Sequence, residues 1–189
     1  MTIYGLSGTN GSGKDTIAHL LRDKYGFCFA DATAMLTDEL LKRGLTTERV
    51  NKAALSAEWR REHGMAAIVD KGVELFKAGD YKGLIVGSLR HPGEADRVHE
   101  LGGKIIWTDA DPRVRYDRVT KADRGRAAED DKTYEEFLVE QEREMHPTGD
   151  AATLNTAAVK EKADIFITND GNDIQAFKDQ AEKELKLGL

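Results

Sequence analysis

The stretch Gly8-Thr9-Asn10-Gly11-Ser12-Gly13-Lys14-Asp15-Thr16 restricts the fold more than any other part of this 189-residue chain. Its glycines and lysine follow the spacing GxxxxGK, which works only where a strand runs into the turn and a helix runs out of it. Both flanks meet that demand. Thr2 to Leu6 is a short apolar run, and beyond the turn Ile17, Leu20, Leu21 and Tyr25 share one helical face before Gly26 supplies a stop. Glycines let the main chain curl so that its N–H groups point inward, and the helix N-terminus adds partial positive charge. The turn is therefore a cradle for a polyphosphate, with Gly8, Asn10, Gly11, Ser12, Gly13 and Thr16 around it and Lys14 bridging the terminal phosphates. One letter departs from the pattern: Asp15 stands where a Ser or Thr hydroxyl normally reaches Mg²⁺. A carboxylate there repels a bare triphosphate, so Asp15 reads either as a contact to Mg²⁺, direct or through water, or as a helix-start acid facing away.

The rest of the chain supplies an α/β frame for that turn. Short apolar runs at Gly26 to Ala30, Leu84 to Val86, Lys104 to Trp107 and Asp164 to Thr168 read as strands buried on both faces. Between them lie amphipathic segments: Met65 to Phe76, a helix opened by Pro92 and ended by Gly102-Gly103, and a last stripe of Ile174, Phe177, Ala181 and Leu185. This alternation predicts a five-stranded, mainly parallel sheet with helices on both faces, in one domain over 1–189. Net charge is −6, which gives no electrostatic case for nucleic acid, so any bound anion needs a local cation cluster. No run reaches membrane-spanning length and no leader stands out, which points to the cytoplasm. The single Cys28, within Phe27-Cys28-Phe29-Ala30, reads as a buried thiol. His146-Pro147-Thr148-Gly149 reads as a loop, there being no second His or Cys at ligand spacing.

Arginines in an acidic chain are informative. Arg115, Arg118, Arg124 and Arg126 follow the fourth strand, where a cover could lower guanidinium groups onto phosphates; local ion pairs on a solvated helix are the other reading. Asp31 follows the second strand at the carboxyl edge of the sheet, placed to accept a proton from an attacking hydroxyl, to align a metal-bound water, or to cap the next helix. Arg90, past the third strand on the same edge, is placed to bind an acceptor phosphate.

Together GSGKDT, Ser88-Leu89-Arg90-His91-Pro92-Gly93-Glu94, Asp111 to Arg118, Arg124-Gly125-Arg126 and Ala163 to Asp170 resemble the P-loop nucleoside and nucleotide kinases, particularly the deoxynucleoside monophosphate kinase and dephospho-CoA kinase-like branch. The resemblance implies the three-layer P-loop NTPase fold with a small helical lid near 113–146, ATP as co-substrate and Mg²⁺; Asp15, in the loop, is this chain's own candidate for the metal's carboxylate. It implies Lys14, Asp31, Arg90, Arg124 and Arg126 as catalytic residues, Arg115 and Asn169 on the nucleotide side, and Arg49, Arg60, Arg90 and Asp31 on the acceptor side. Solvent-facing positions explain Arg49 and Arg60 equally well, and a plain turn capped by Asp173 explains Asn169-Asp170-Gly171. The activity implied is transfer of the γ-phosphoryl of ATP to a small-molecule nucleotide, a (deoxy)nucleoside monophosphate first, by a monomer or homodimer. Dephospho-CoA is the rival acceptor. A nucleotide-binding regulator or slow ATPase is the reading from outside this class, because Gly87 stands where the family carries a third-strand acid that helps hold the metal.

Overall fold

The computed structural model describes residues 1–121, 132–146 and 149–187. Five parallel strands, β1 (Thr2–Gly8), β2 (Phe27–Asp31), β3 (Gly83–Gly87), β4 (Lys104–Asp109) and β5 (Ile165–Thr168), lie in the order β2-β3-β1-β4-β5. Their apolar runs are continuous because both faces are covered. Successive side chains alternate between the faces, so Ile3, Leu84, Val86 and Ile105 enter one core while Tyr4, Leu6, Ile85 and Ile106 enter the other.

Helices α1 (Lys14–Tyr25) and α9 (Ile174–Glu184) cover the second face, through Ile17, Leu21, Phe177 and Ala181. The first face is covered by α2 (Ala32–Lys42), α3 (Arg49–His63), α4 (Ala67–Lys77), α5 (Pro92–Glu100) and α8 (Thr156–Glu161). Cys28 is buried there as a free thiol, and that burial raises its pKa. Gly26 ends α1 rather than opening β2: at φ 70° its N–H returns to Arg22 O and Leu21 O. No helix among the described residues is long and apolar enough to cross a membrane.

The segment expected to form a lid contains α6 (Pro112–Lys121) and α7 (Tyr134–Met145). The base where they meet is aromatic. The Tyr116 ring meets Tyr134 and Phe137 edge-on at 5.4 and 5.8 Å, and Tyr116 Oη donates to Lys132 O at 2.7 Å. Arg124 and Arg126 lie outside the described residues, as do Pro147 and Thr148 of the expected loop.

Candidate active site

The phosphate loop is held from behind, which leaves its inner surface for a ligand. Thr9 Oγ1 donates to Asp109 at 2.7 Å, and Ser12 Oγ bonds Thr9 O at 2.8 Å and Thr108 Oγ1 at 2.9 Å. Arg115 reaches Asn10 O at 3.5 Å, Arg118 reaches Gly11 O at 3.4 Å, and Asn169 Nδ2 donates to Ser12 O at 2.9 Å. The carbonyls of Asn10, Gly11 and Ser12 are thus turned outward. Gly11 and Gly13 take φ of 80° and 95°, and a Cβ on Gly13 would lie 2.6 Å from Asn169 Nδ2, so both conformation and space require glycine there. Gly13 is the N-cap of α1 and makes no side-chain cap hydrogen bond; Thr16 N turns back to Gly13 O at 3.0 Å, and the N–H groups of Lys14 and Asp15 ahead of it remain for an anion.

Lys14 curls back into this loop, donating to Gly8 O at 3.0 Å and Thr9 O at 2.7 Å. Burial, with Arg90 adding to it, lowers its pKa to about 7, while Asp15 and Glu144 oppose the shift. An ammonium normally charged at neutral pH is therefore on the verge of losing its proton, and a polyphosphate beside it reverses that. At pH 8 nucleotide binding is expected to take up about one proton, read by calorimetry in buffers of different ionisation enthalpy. Zero uptake at pH 8 contradicts the assignment. The same linkage fixes a stability slope. Below pH 7 both folded and unfolded chains hold the proton and the folded state bears the full penalty, which is relieved as pH rises toward the lysine's ordinary value. Without ligand the protein therefore gains stability across that window.

Across the cleft, the chain leaving β3 is bent over the end of β1 and fixed there. Ser88 adopts φ 63°, Leu89 N donates to Leu6 O at 3.0 Å, and Ser7 Oγ donates to Leu89 O at 2.7 Å. This delivers Arg90 to the cleft with its main chain clamped on both sides: its N–H donates to Glu94 Oε2 at 2.8 Å and its carbonyl accepts from Asn155 N at 2.9 Å. Arg90 Nη1 then donates to Glu144 Oε2 at 2.6 Å, and Arg49 Nη2 donates to Glu144 Oε1. Burial of Glu144 opposes its ionisation, but Arg90 and Arg49 outweigh it and hold the carboxyl below the usual range.

Arg60 is placed differently from the acceptor-side expectation. It lines the cleft but is 2% exposed, forked onto Glu94 Oε1 at 2.7 and 3.1 Å with Ser56 Oγ and Ala152 O as further acceptors. Its charge is spent on holding Glu94, which in turn holds Arg90. Arg115 is also 2% exposed; it donates to Ala110 O at 2.8 Å and to Gln141 Oε1, so it braces the loop from outside. Arg118 does the same for the turn after β5, donating to Asn169 O at 2.9 Å and to Gly171 O. Asn169 therefore touches the loop's back rather than its mouth, while Asp173 caps α9 through Gln175 N and Ala176 N at 2.8 and 3.1 Å.

Asp15 is exposed in the first turn of α1 and lines the same cleft as Thr16 and Asp31. Asp31 caps α2, accepting from Thr33 N at 2.8 Å. Burial raises its carboxyl above the ordinary range, the Thr33 N–H opposes this, and the Asp15 charge adds to the rise. Gly87 pairs in register with Asp31, and a Cβ at Gly87 would lie 2.6 Å from the Phe29 ring. The place of a third-strand acid is thus taken by an aromatic ring from β2, and Asp31 is the acid on the strand beside it. The whole cleft encloses about 630 Å³ between the loop and the Arg49, Arg90, Glu144 group.

Two residues central to this arrangement have no assigned role in the sequence reading. Glu94 was detectable in part: an acid three positions after His91, with Pro92 between them, is a capping-box pattern, and His91 Nδ1 accepts from Gly93 N while Glu94 accepts from His91 N. Glu144 shares a face of α7 with Phe137, which is buried against the base. Its partners lie 54 and 95 residues away, beyond any local pattern.

The sheet order, the glycine-rich turn from β1 to α1 and the lysine inside it define a P-loop NTPase fold of the kinase-like kind. The chain belongs to the AAA domain family AAA_18, matched over residues 5–143, and to the UPF0200 proteins, one of which, from Sulfurisphaera tokodaii, is 30% identical with 97% of this chain and 96% of that protein covered. A UPF0200 protein of Thermococcus kodakarensis is 29% identical, covering 96% of this chain and 92% of its own. Among solved structures, the fold is shared with shikimate kinase from Bacteroides thetaiotaomicron, at TM-score 0.60 and 15% identity over 98% of this chain and 99% of that one. Shikimate kinase from Acinetobacter baumannii, in complex with shikimate, gives TM-score 0.52 and 18% identity over 98% and 91% of the two chains.

Proposed function

We propose that the protein is an ATP-dependent phosphotransferase that moves the γ-phosphoryl of ATP to a phosphate-bearing, nucleotide-like acceptor, with a (deoxy)nucleoside monophosphate as the first candidate. The observation that carries this reading is the convergence of Arg49 and Arg90 on one carboxylate across the cleft from Lys14. Two guanidinium groups meeting there make an anion site opposite a polyphosphate site, which is the requirement for in-line transfer between two phosphates.

In this reading the main-chain N–H groups of the loop and the start of α1 hold the β and γ phosphates, and Lys14 neutralises charge that builds on them. Arg49 and Arg90 hold the acceptor phosphate so that one of its oxygens faces the γ phosphorus. That oxygen forms the new P–O bond as the bond to the β–γ bridging oxygen breaks, and ADP leaves with the electron pair. An ionised phosphate oxygen carries no proton to remove, so Asp31 orients the acceptor and the cation rather than acting as a base. Asp15, Asp31 and the Thr16 hydroxyl line the same cleft as Lys14 and are hard oxygen donors, which suits Mg²⁺. When bound, that ion shares the triphosphate's charge.

The filled space at Gly87 favours a second reading, a nucleotide-binding regulator or slow ATPase. A coupled ADP-release assay across nucleoside monophosphates and dephospho-CoA, with a no-acceptor control, separates the two. Release that depends on an acceptor is the expected result, and the acceptor supporting the fastest turnover names the substrate. Release independent of every acceptor, or none, overturns the transfer reading.

A further inference from the structure

We propose that Glu144 is a built-in occupant of the acceptor's anion site, one that a doubly charged phosphoryl group displaces and a singly charged carboxylate does not. The inference rests on the reading of Arg49 and Arg90 as the acceptor's anchors, and it adds the rule by which that site selects its anion.

Each oxygen of the Glu144 carboxylate takes one guanidinium, Oε2 from Arg90 at 2.6 Å and Oε1 from Arg49. That is the two-oxygen, two-arginine pattern an entering anion would make. The triad is not sealed in a core: the side chains of Arg49, Arg90 and Glu144 are 32%, 28% and 23% exposed, and all three line the cleft shared with Lys14. The main chain is fixed on both sides of this contact, that of Arg90 by Glu94 and Asn155, and that of Glu144 by α7 and by Thr156 Oγ1, which donates to its carbonyl at 2.6 Å. Only the side-chain torsions of Glu144 need to change for its carboxylate to turn out of the site, with the backbone that presents Arg90 left in place.

Charge decides which anions succeed. With Glu144 in place the cations Lys14, Arg49 and Arg90 are partly neutralised, and their mutual influence is felt at Lys14, where both arginines act against its proton and Glu144 supports it. A monocarboxylate entering this site exchanges one single charge for another and gains nothing. A phosphate monoester carries about 1.5 to 2 negative charges near neutral pH and offers three oxygens, so its exchange is favourable. Once it is seated, the freed Glu144 carboxylate is repelled from the pair and leaves the site to the substrate.

The test is equilibrium binding of inorganic phosphate and of acetate to the full chain. It follows the Nε–H resonances of Arg49 and Arg90, which report this site rather than the loop. In the wild type, phosphate is expected to shift both resonances at concentrations where acetate shifts neither. Glu144→Gln is expected to tighten phosphate binding about tenfold and to bring acetate into measurable range. Acetate binding as well as phosphate in the wild type, which needs no variant, overturns the proposal. So does weaker or unchanged phosphate binding in Glu144→Gln, since a carboxylate that merely aligns the arginines would give that result. The anion exchange and the transfer reading fail separately: the expected shifts without acceptor-dependent ADP release sink only the second. Acceptor-dependent release with a KM that rises in Glu144→Gln sinks only the first.

Discussion

Lys14→Ala is expected to lower acceptor-dependent turnover by about 10²–10³-fold or more, the cost of removing one preorganised charge from a developing phosphoryl transition state. The same substitution is expected to leave the melting temperature unchanged or slightly raised at pH 6 to 7. Lys14 is a desolvated cation in the empty loop, and its lowered pKa means that keeping it charged opposes folding. Its hydrogen-bond partners are two loop carbonyls, Gly8 O and Thr9 O, at the mouth of an open cleft where water replaces the ammonium. A residue that is unfavourable to fold and required to react is the signature of a site held for its ligand. Steady-state rates beside thermal unfolding of both proteins check it. Turnover within tenfold of the wild type contradicts the role of Lys14, and a large loss of stability contradicts its placement.

The second large effect is expected at Glu94. Its carboxylate is 1% exposed and accepts from Arg60 Nη2 at 2.7 Å, Arg60 Nε at 3.1 Å, Arg90 N at 2.8 Å and His91 N at 3.1 Å. Glu94→Ala leaves a buried guanidinium without its counter-charge and two main-chain donors without an acceptor, a loss of about 3–5 kcal/mol. For a chain of 189 residues that corresponds to a fall in melting temperature of order 10 °C. Replacing both members, Arg60→Leu with Glu94→Leu, is expected to regain much of the stability, since an apolar pair of similar size needs no counter-charge. It does not restore the clamp on Arg90, so the acceptor's KM stays raised in the double variant. Thermal unfolding of the wild type, Glu94→Ala and the double variant, with acceptor KM for each, gives both quantities. A loss below about 1 kcal/mol for Glu94→Ala contradicts the account of the buried pair.

The parts of this architecture that were legible in the sequence are those whose cause is local. The strand, glycine turn and helix around Lys14 are legible because each residue carries its own conformational demand, and the buried strands because parallel sheets covered on both faces leave no polar alternation. Element ends shift by a residue or two where caps decide, as at Gly26, which the helix takes from the strand. Asp31 allows three duties in the sequence, and in the structure its carboxylate caps α2 and the residue lines the cleft. What is not legible depends on partners distant in the chain. The vacancy of an acid at Gly87 is explained only by the Phe29 ring on the neighbouring strand. Arg60 has the composition of an acceptor contact and the surroundings of a buried ion pair, because Glu94 reaches it from 34 residues away. Glu144 looks like one acid among many in an acidic helix until the fold brings Arg49 and Arg90 to it.

The most direct measurement follows the labelled γ-phosphoryl of ATP in the presence of each nucleoside monophosphate, for the wild type and for Arg90→Ala. The account predicts label in the corresponding nucleoside diphosphate for the wild type and its loss or strong reduction in the variant. Label found only in inorganic phosphate, at a rate indifferent to both the added nucleotide and Arg90, would contradict it.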